Sequence, residues 1–239
     1  MSHTSAHSFS GSPTLPEFLR GLKASVPVLL GFIPFGLVLG TQASEKGLSP
    51  VEAGLLTGLN FGGGSEFLVI GLWTWPLTIP LLVALTFLIN SRHILMGAAL
   101  APSLRHLPRR KVLPALFLMC DESWALGLRD ARQRGDVMSL PFYMGLALGL
   151  YASWPSSVAI GAYIGPILGD IRHYGFDMAF PAVFLVMLAG MWKGFKPAIP
   201  WLGSLIVGAL TCQLLPGPWY VPLGAAAGLV IAYVMAPAE

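Results

Sequence analysis

The sequence predicts an all-α protein, a polytopic transmembrane helical bundle of seven or eight spans with broken or re-entrant helices. Three observations predict it. The 239 residues are 55% hydrophobic and only 10% charged, with a mean hydropathy of +0.71, whereas a soluble domain carries roughly 25% charged residues. The 28 Gly and 20 Pro fall largely inside apolar segments, which argues for close helix packing and interrupted helices rather than disorder. A polar group, Asn90-Ser91-Arg92-His93, lies inside an apolar stretch that is long enough to cross a bilayer. The net charge of +3 is small, and the Lys and Arg residues cluster in short loops. That distribution is an orientation signal for membrane insertion, not a nucleic-acid footprint.

The predicted elements follow in order. Met1 to Pro16 is rich in Ser, Thr and His without an apolar core, so residues 1–16 are expected to be a disordered polar tail and not a cleavable signal peptide. Residues 17–239 are expected to form a single transmembrane domain. Its first span runs from about Arg20 to Ala43, with Pro27 and Pro34 inside and Gly36-xxx-Gly40 as a small packing face. The second, about Val51 to Trp73, contains Asn60-Phe61-Gly62-Gly63-Gly64-Ser65-Glu66. Gly costs ~1 kcal/mol relative to Ala in a helix interior, so three in succession favour a break. Unwound backbone is tolerated at membrane depth only beside protein or a water cavity.

The third span is Pro76 to Ala101. Fourteen uncharged residues precede Asn90, and eight, mostly apolar, follow His93. Arg92 therefore lies inside the span, where a charge costs at least ~2.5–3.5 kcal/mol unless it is paired or hydrated. The basic run Arg105-His106-Leu107-Pro108-Arg109-Arg110-Lys111 places that loop in the cytoplasm, and Arg20 and Lys23 place the N-terminus there too. The fourth segment, Val112 to Leu128, holds Asp121 and Glu122 and is basic at both ends, because three Arg follow in 129–136. A simple crossing would violate the positive-inside rule on one side. Either the segment is re-entrant or one flank tolerates outside charge. Leu140 to Leu168 is one long kinked span around Trp154-Pro155 or two half-helices. Phe176 to Trp192, Ala198 to Leu215 and Trp219 to Met235 supply three more spans. Gly36-xxx-Gly40 and Gly161-xxx-Gly165 form a faint internal echo of the kind found in transporters. Cys120 and Cys212 lie in apolar segments and read as reduced thiols; no metal or other cofactor is implied.

The membrane-embedded polar residues are Asn60, Glu66, Asn90, Arg92, His93, Asp121 and Glu122, all in the first half of the chain. Asn90 and His93 share a helix face. Arg92 is expected to pair with an acidic residue of the fourth span or with Glu66. The bland reading is a buried salt bridge between helices. The functional reading is a polar site in which Arg92 fixes a substrate carboxylate and His93 or a carboxylate carries protons.

The order Pro34-Phe35-Gly36-Leu37, Phe61-Gly62-Gly63-Gly64-Ser65-Glu66, Asn90-Ser91-Arg92-His93 and Asp121-Glu122 resembles the AzlC/YgaZ family. The likeness extends to Trp154, Gly161 and Gly165 and to Phe176-Asp177-Met178-Ala179-Phe180. The resemblance implies the large subunit of an inner-membrane exporter of branched-chain or similar apolar amino acids: valine, leucine, isoleucine or methionine. It also implies a small AzlD/YgaH-type membrane partner. On that reading the substrate-binding candidates are Phe61, Gly62, Gly63, Gly64, Glu66, Asn90 and Arg92. His93, Asp121 and Glu122 would form the proton-coupling or polar network. Two departures stand out. Similar sequences commonly carry Ala-Ser-Gln where this chain has Gly64-Ser65-Glu66, and a Leu-Tyr-Ser-like tripeptide where it has Ile94-Leu95-Met96. Two other classes compete. One is a permease for another small solute or a membrane component of a larger complex; no GxxxxGK[ST] loop is present for ATP. The other is a membrane enzyme using His93 with Asp121 or Glu122, but Arg92-His93 lacks both an adjacent nucleophile and an HExxH pattern.

Overall fold

The computed structural model describes residues 14–168, 194–215, 217 and 219–235, together with positions 178, 185, 189 and 192. Among the described residues all regular structure is helical. In order the helices are α1 (Thr14–Glu45), α2 (Pro50–Asn60), α3 (Gly64–Gly71), α4 (Ile79–Asn90), α5 (Arg92–Leu104), α6 (Arg109–Phe117), α7 (Asp121–Gln133), α8 (Leu140–Leu168), α9 (Phe195–Leu214) and α10 (Tyr220–Met235). The expected Phe176 to Trp192 span and most of the Phe176–Phe180 segment lie outside the described residues, as does most of the polar tail. Helix α1 starts at Thr14, three residues before the expected domain boundary.

The chain forms two compact units: Met1–Leu77 with Ile89–Tyr174, and Thr78–Leu88 with Gly175–Glu239. Among the described residues, three stretches could cross a membrane unaided by length and hydropathy: Thr14–Glu45, Ile79–Leu104 and Phe195–Leu214. The other described helices are of different kinds. Helix α8 is one continuous helix of 29 residues, not two halves. It is diluted by Ser and Gly because it is the central, protein-clad helix of the first unit. Its Leu146, Ala147 and Leu150 are fully buried. Helices α2, α3, α6 and α7 have 11, 8, 9 and 13 residues. At ~1.5 Å per residue, none of these alone spans a ~30 Å core.

Helix α1 packs along the length of α8, and small residues make that approach possible. The Phe18 carbonyl meets Gly145, Ser25 meets Gly149, Gly36 meets Ser157, Gly40 lies against Gly161 and Ala162, and Ser44 meets Gly165. The numbers rise together, so the two helices are parallel. The two glycine motifs of the sequence echo are thus two sides of one helix interface. Helix α2 runs the opposite way along α8, with Gly54 against Ala159 and Gly58 against Pro155 and Tyr151.

Helices α6 and α7 resolve the charge puzzle of the fourth segment. The Met138 N–H donates to the Ser103 carbonyl at 3.1 Å, so the end of α5 lies at the start of α8. From there α6 rises to Phe117, whose ring lies 5.9 Å from that of Tyr151 in mid-α8. The chain breaks at Leu118-Met119-Cys120, and α7 returns past Tyr143, against which Gly127 packs. It ends where Asp130 and Arg134 join Arg20 and Glu17 at the start of α1. The segment is therefore a re-entrant hairpin. Its Ala115 and Met119 join Leu100 and Leu104 of α5, Met138, and Tyr143 of α8 in one buried apolar cluster.

Both basic flanks of that hairpin emerge at the same end of the bundle as the N-terminus. That end carries nine of the 14 Lys and Arg residues: Arg20, Lys23, Arg105, Arg109, Arg110, Lys111, Arg129, Arg132 and Arg134. The hairpin's two basic flanks therefore no longer conflict with the positive-inside rule, and the rule assigns this end to the cytoplasm. In a Cys212→Ser background, Arg110→Cys and Gln133→Cys should both react with a membrane-impermeant maleimide only from the cytoplasmic side. Labelling from opposite sides would contradict the hairpin.

In the second unit α9 and α10 pack on each other. Gly224 lies against Ser204 and Gly208, Gly228 against Ser204 and Pro200, and Gly203 against Ile231. These glycines suggest a partner-binding face in the sequence. They are occupied within the chain instead, because any pair of apolar helices approaches most closely where both lack side-chain bulk.

Candidate functional site

Two chain breaks occur near the middle of α8, at Phe61–Gly63 between α2 and α3 and at Leu118–Cys120 between α6 and α7. Tyr151 marks their common level. Its ring lies 5.0 Å from that of Phe61 and 5.9 Å from that of Phe117, and its hydroxyl donates to the Gly58 carbonyl at 2.8 Å. Phe61 caps α2 in the left-handed region at φ 46°, and Gly63 follows at φ 56°. The glycine run thus reverses the backbone rather than merely loosening a helix. Gly62 is required for a different reason. A Cβ there would meet Ser65 Oγ and would lie 2.7 Å from Asn90 Oδ1 and 2.9 Å from Asn60 Nδ2.

Polar side chains converge on this turn. Glu66, in the first turn of α3, is only 1% exposed. Its Oε1 accepts from the Gly62 N–H at 2.9 Å and from Asn60 Nδ2 at 3.2 Å, and its Oε2 accepts from Trp154 Nε1 at 2.7 Å. Asn60 also donates to Ser65 Oγ at 2.8 Å and accepts from Asn90 Nδ2 at 2.9 Å. Arg92, at the start of α5, donates from Nη2 to the Gly62 carbonyl at 3.1 Å and from Nη1 pairs with Asp121 Oδ2 at 3.1 Å. Of the three acidic residues expected as partners for Arg92, Asp121, Glu122 and Glu66, the structure pairs it with Asp121. That pair is open: the side chains are 37% and 33% exposed.

Asp121 and Glu122 occupy the first turn of α7, where the helix dipole favours negative charge. Ser123 Oγ accepts the Cys120 N–H at 2.9 Å and closes the break before them. His93 places Nδ1 3.1 Å from the Asn90 carbonyl, within the same helical turn. Two buried polar atoms at the site have no partner, Arg92 Nε and Asn90 Oδ1.

The structure therefore gathers Asn60, Gly62, Glu66, Asn90, Arg92 and Asp121 into one bonded group. Phe61 does not line an open pocket; it is buried against Tyr151. Glu66 presents no open face to solvent, since protein donors occupy both of its oxygens. Sequence reasoning missed the participation of Trp154, Tyr151 and Ser65 in this group. Trp154 is 88 residues from its partner Glu66, and no local pattern links them. It also missed the network at the cytoplasmic end. There Glu17 is held by Arg20 at 3.0 Å, Arg134 at 2.9 Å and Ser139 at 2.9 Å, and Arg20 reaches Asp130 at 2.7 Å.

The AzlC protein family model matches residues 27–168, a stretch that contains both chain breaks and every residue of the bonded group. This chain belongs to the AzlC family. An uncharacterized membrane protein of Archaeoglobus fulgidus is 30% identical over 79% of this chain and 80% of its own length. Inner membrane protein YgaZ of Escherichia coli is 23% identical over 92% of this chain and 89% of its own. Branched-chain amino acid transport protein AzlC of Bacillus subtilis is 24% identical over 85% of this chain and 79% of its own. No solved structure matches the chain. With these relatives and its apolar helices, this AzlC family member is a multi-pass membrane protein.

Proposed function

We propose that this AzlC family member is a transporter subunit that exports branched-chain and similar apolar amino acids: valine, leucine, isoleucine or methionine. It acts with a small AzlD-type membrane subunit. Family membership supports the transport reading, as does the Bacillus subtilis relative, named for branched-chain amino acid transport. The observation that carries the substrate class is the Arg92–Asp121 pair, 3.1 Å apart, a third exposed, beside two broken helices.

An amino acid is a zwitterion. Its carboxylate can replace Asp121 on Arg92, and its ammonium can replace Arg92 on Asp121, so one open ion pair is exchanged for two. The exchange leaves no charge unpaired at membrane depth, which is the costly outcome there. Arg92 suits the carboxylate because its guanidinium is always charged and offers paired donors. Arg92 Nε and Asn90 Oδ1 are buried without partners, so they become a further donor and acceptor for the substrate only once the breaks move to admit it. The aliphatic side chain can then rest on the apolar surface around the breaks. None of these features calls for chemistry on the substrate, so the reading is of a carrier and not an enzyme.

Co-expression of this chain with its small partner should lower intracellular valine, leucine, isoleucine and methionine when cells are loaded with the corresponding dipeptides. Unchanged pools at verified membrane abundance would refute the reading. Efflux by the purified chain alone in liposomes would refute the requirement for a partner.

A further inference from the structure

Gly62 is gripped from two sides. Its N–H donates to Glu66 at 2.9 Å, and its carbonyl accepts from Arg92 at 3.1 Å. Glu66 is buried, and every group bonded to it is a donor: the Gly62 N–H, Asn60 Nδ2 and Trp154 Nε1. Among the described residues no Lys, Arg or His forms an ion pair with it. The elements around it contribute few charges. Helix α1 brings Phe32 and Phe35, whose rings lie 5.0 and 6.1 Å from that of Trp154. Helix α2 brings Asn60, and α8 brings Trp154. Helix α5 brings Arg92, which reaches Gly62 and Asp121 instead, and His93, which faces the Asn90 carbonyl. Helix α7 brings Asp121, held by Arg92, and Glu122 beside it.

Three donors fill three of the roughly four acceptor positions of a carboxylate. The site therefore suits the ionised form. A carboxylic acid fits it poorly. A proton on Oε1 would displace the Gly62 or the Asn60 donor, and a proton on Oε2 would take the one open position and leave the Trp154 N–H on a hydroxyl oxygen. Either way an anchoring contact is lost or changed from a charge-assisted bond to a weaker neutral one. Each of the three contacts anchors the break: one to its own backbone, one to the end of α2 and one to α8.

We infer that Glu66 is a proton-operated latch on the Phe61–Gly63 break. Ionised, it pins Gly62 to Trp154 of α8; a proton taken from the aqueous phase opens the latch. The inference rests on the transport reading for its consequence. A substrate carboxylate that recruits Arg92 releases the other side of Gly62, so proton and substrate bias the same element. Two ligands that bias one two-state element are thermodynamically coupled, and reciprocally so. The coupling proton then resides on Glu66 rather than on His93.

Infrared difference spectroscopy of the purified chain in lipid, titrated with acid, tests the latch without any transport assay. The expected result is a protonated-carboxyl band that Glu66→Gln deletes and that Asp121→Asn and Glu122→Gln retain. Trp154→Phe, which keeps the carboxyl and removes one donor, should move the midpoint of that band. A spectrum identical in parent and Glu66→Gln would overturn the inference, as would a midpoint that ignores Trp154→Phe. For the coupling, amino-acid flux in Glu66→Gln should lose the pH dependence of the parent. A Glu66-dependent band with unaltered pH dependence of flux would return the coupling proton to another group. If the parent transports no amino acid, the transport reading fails, and the infrared result still decides the latch.

Discussion

Arg92→Lys should reduce amino-acid flux by roughly ten- to a hundredfold at matched membrane abundance, the factor expected for ~1.5–3 kcal/mol per charged hydrogen bond. Arg92 uses two nitrogens in two directions, Nη1 towards Asp121 and Nη2 towards the Gly62 carbonyl, each at 3.1 Å. A lysine keeps the charge but offers a single point of attachment on a flexible stem. Its single nitrogen cannot reproduce two donors set apart on a rigid plane, and it cannot present a fixed fork to a carboxylate. The variant should fold, because the charge balance with Asp121 is preserved. Flux equal to that of the parent would make Arg92 a structural ion-pair residue and remove the proposed substrate site.

Gly161→Ala should destabilise the fold more than a substitution of one methyl group ordinarily does. The added Cβ would press on the Leu37 carbonyl oxygen and lie 2.8 Å from its carbon, both backbone atoms of α1. A backbone cannot rotate away as a side chain can, so α1 and α8 must separate along a shared, closely packed interface. Overpacking typically costs ~1–3 kcal/mol, and van der Waals contact is a main source of helix cohesion in a bilayer. Gly31→Ala is the control. Nothing lies within 4 Å of its Cβ position, and Ala is the better helix former by ~1 kcal/mol. Thermal unfolding of the detergent-solubilised proteins, followed by size-exclusion fluorescence, should show Gly161→Ala lowered by several degrees and Gly31→Ala unchanged or raised. Equal behaviour would mean that the helices are not held this closely.

These two residues illustrate what the sequence makes legible. Arg92 is visible because a charge inside an apolar run needs a partner, and acidic candidates are few. Gly161 is visible as one of a spaced pair of small residues, but its neighbour is not. The echo between Gly36-xxx-Gly40 and Gly161-xxx-Gly165 is a weak textual signal that becomes an interface once α1 and α8 lie parallel. The same logic misleads at Gly203, Gly208, Gly224 and Gly228, because a small-residue face does not say whether it meets its own chain or another. The re-entrant course of α6 and α7 could not be read from charge alone. The positive-inside rule counts charges per loop and does not say which loops share a side. Contacts with Glu17 and Ser103 decide that. The site's charged members were all legible, whereas Trp154 and Tyr151 were not, since α8 contributes them from far along the chain. Glu66 was legible as a carboxylate but not as one whose oxygens the protein already fills.

In the proposed transport cycle a zwitterion exchanges with the Arg92–Asp121 pair. Equilibrium binding to the purified complex tests it most directly, comparing leucine with leucinamide, which lacks the carboxylate, and 4-methylpentanoate, which lacks the ammonium. Each lost charge should weaken binding by at least about tenfold, since one member of the opened pair is then left unmatched. Asp121→Asn should abolish the advantage of leucine over 4-methylpentanoate while keeping its advantage over leucinamide. Leucinamide binding as tightly as leucine would contradict the claim.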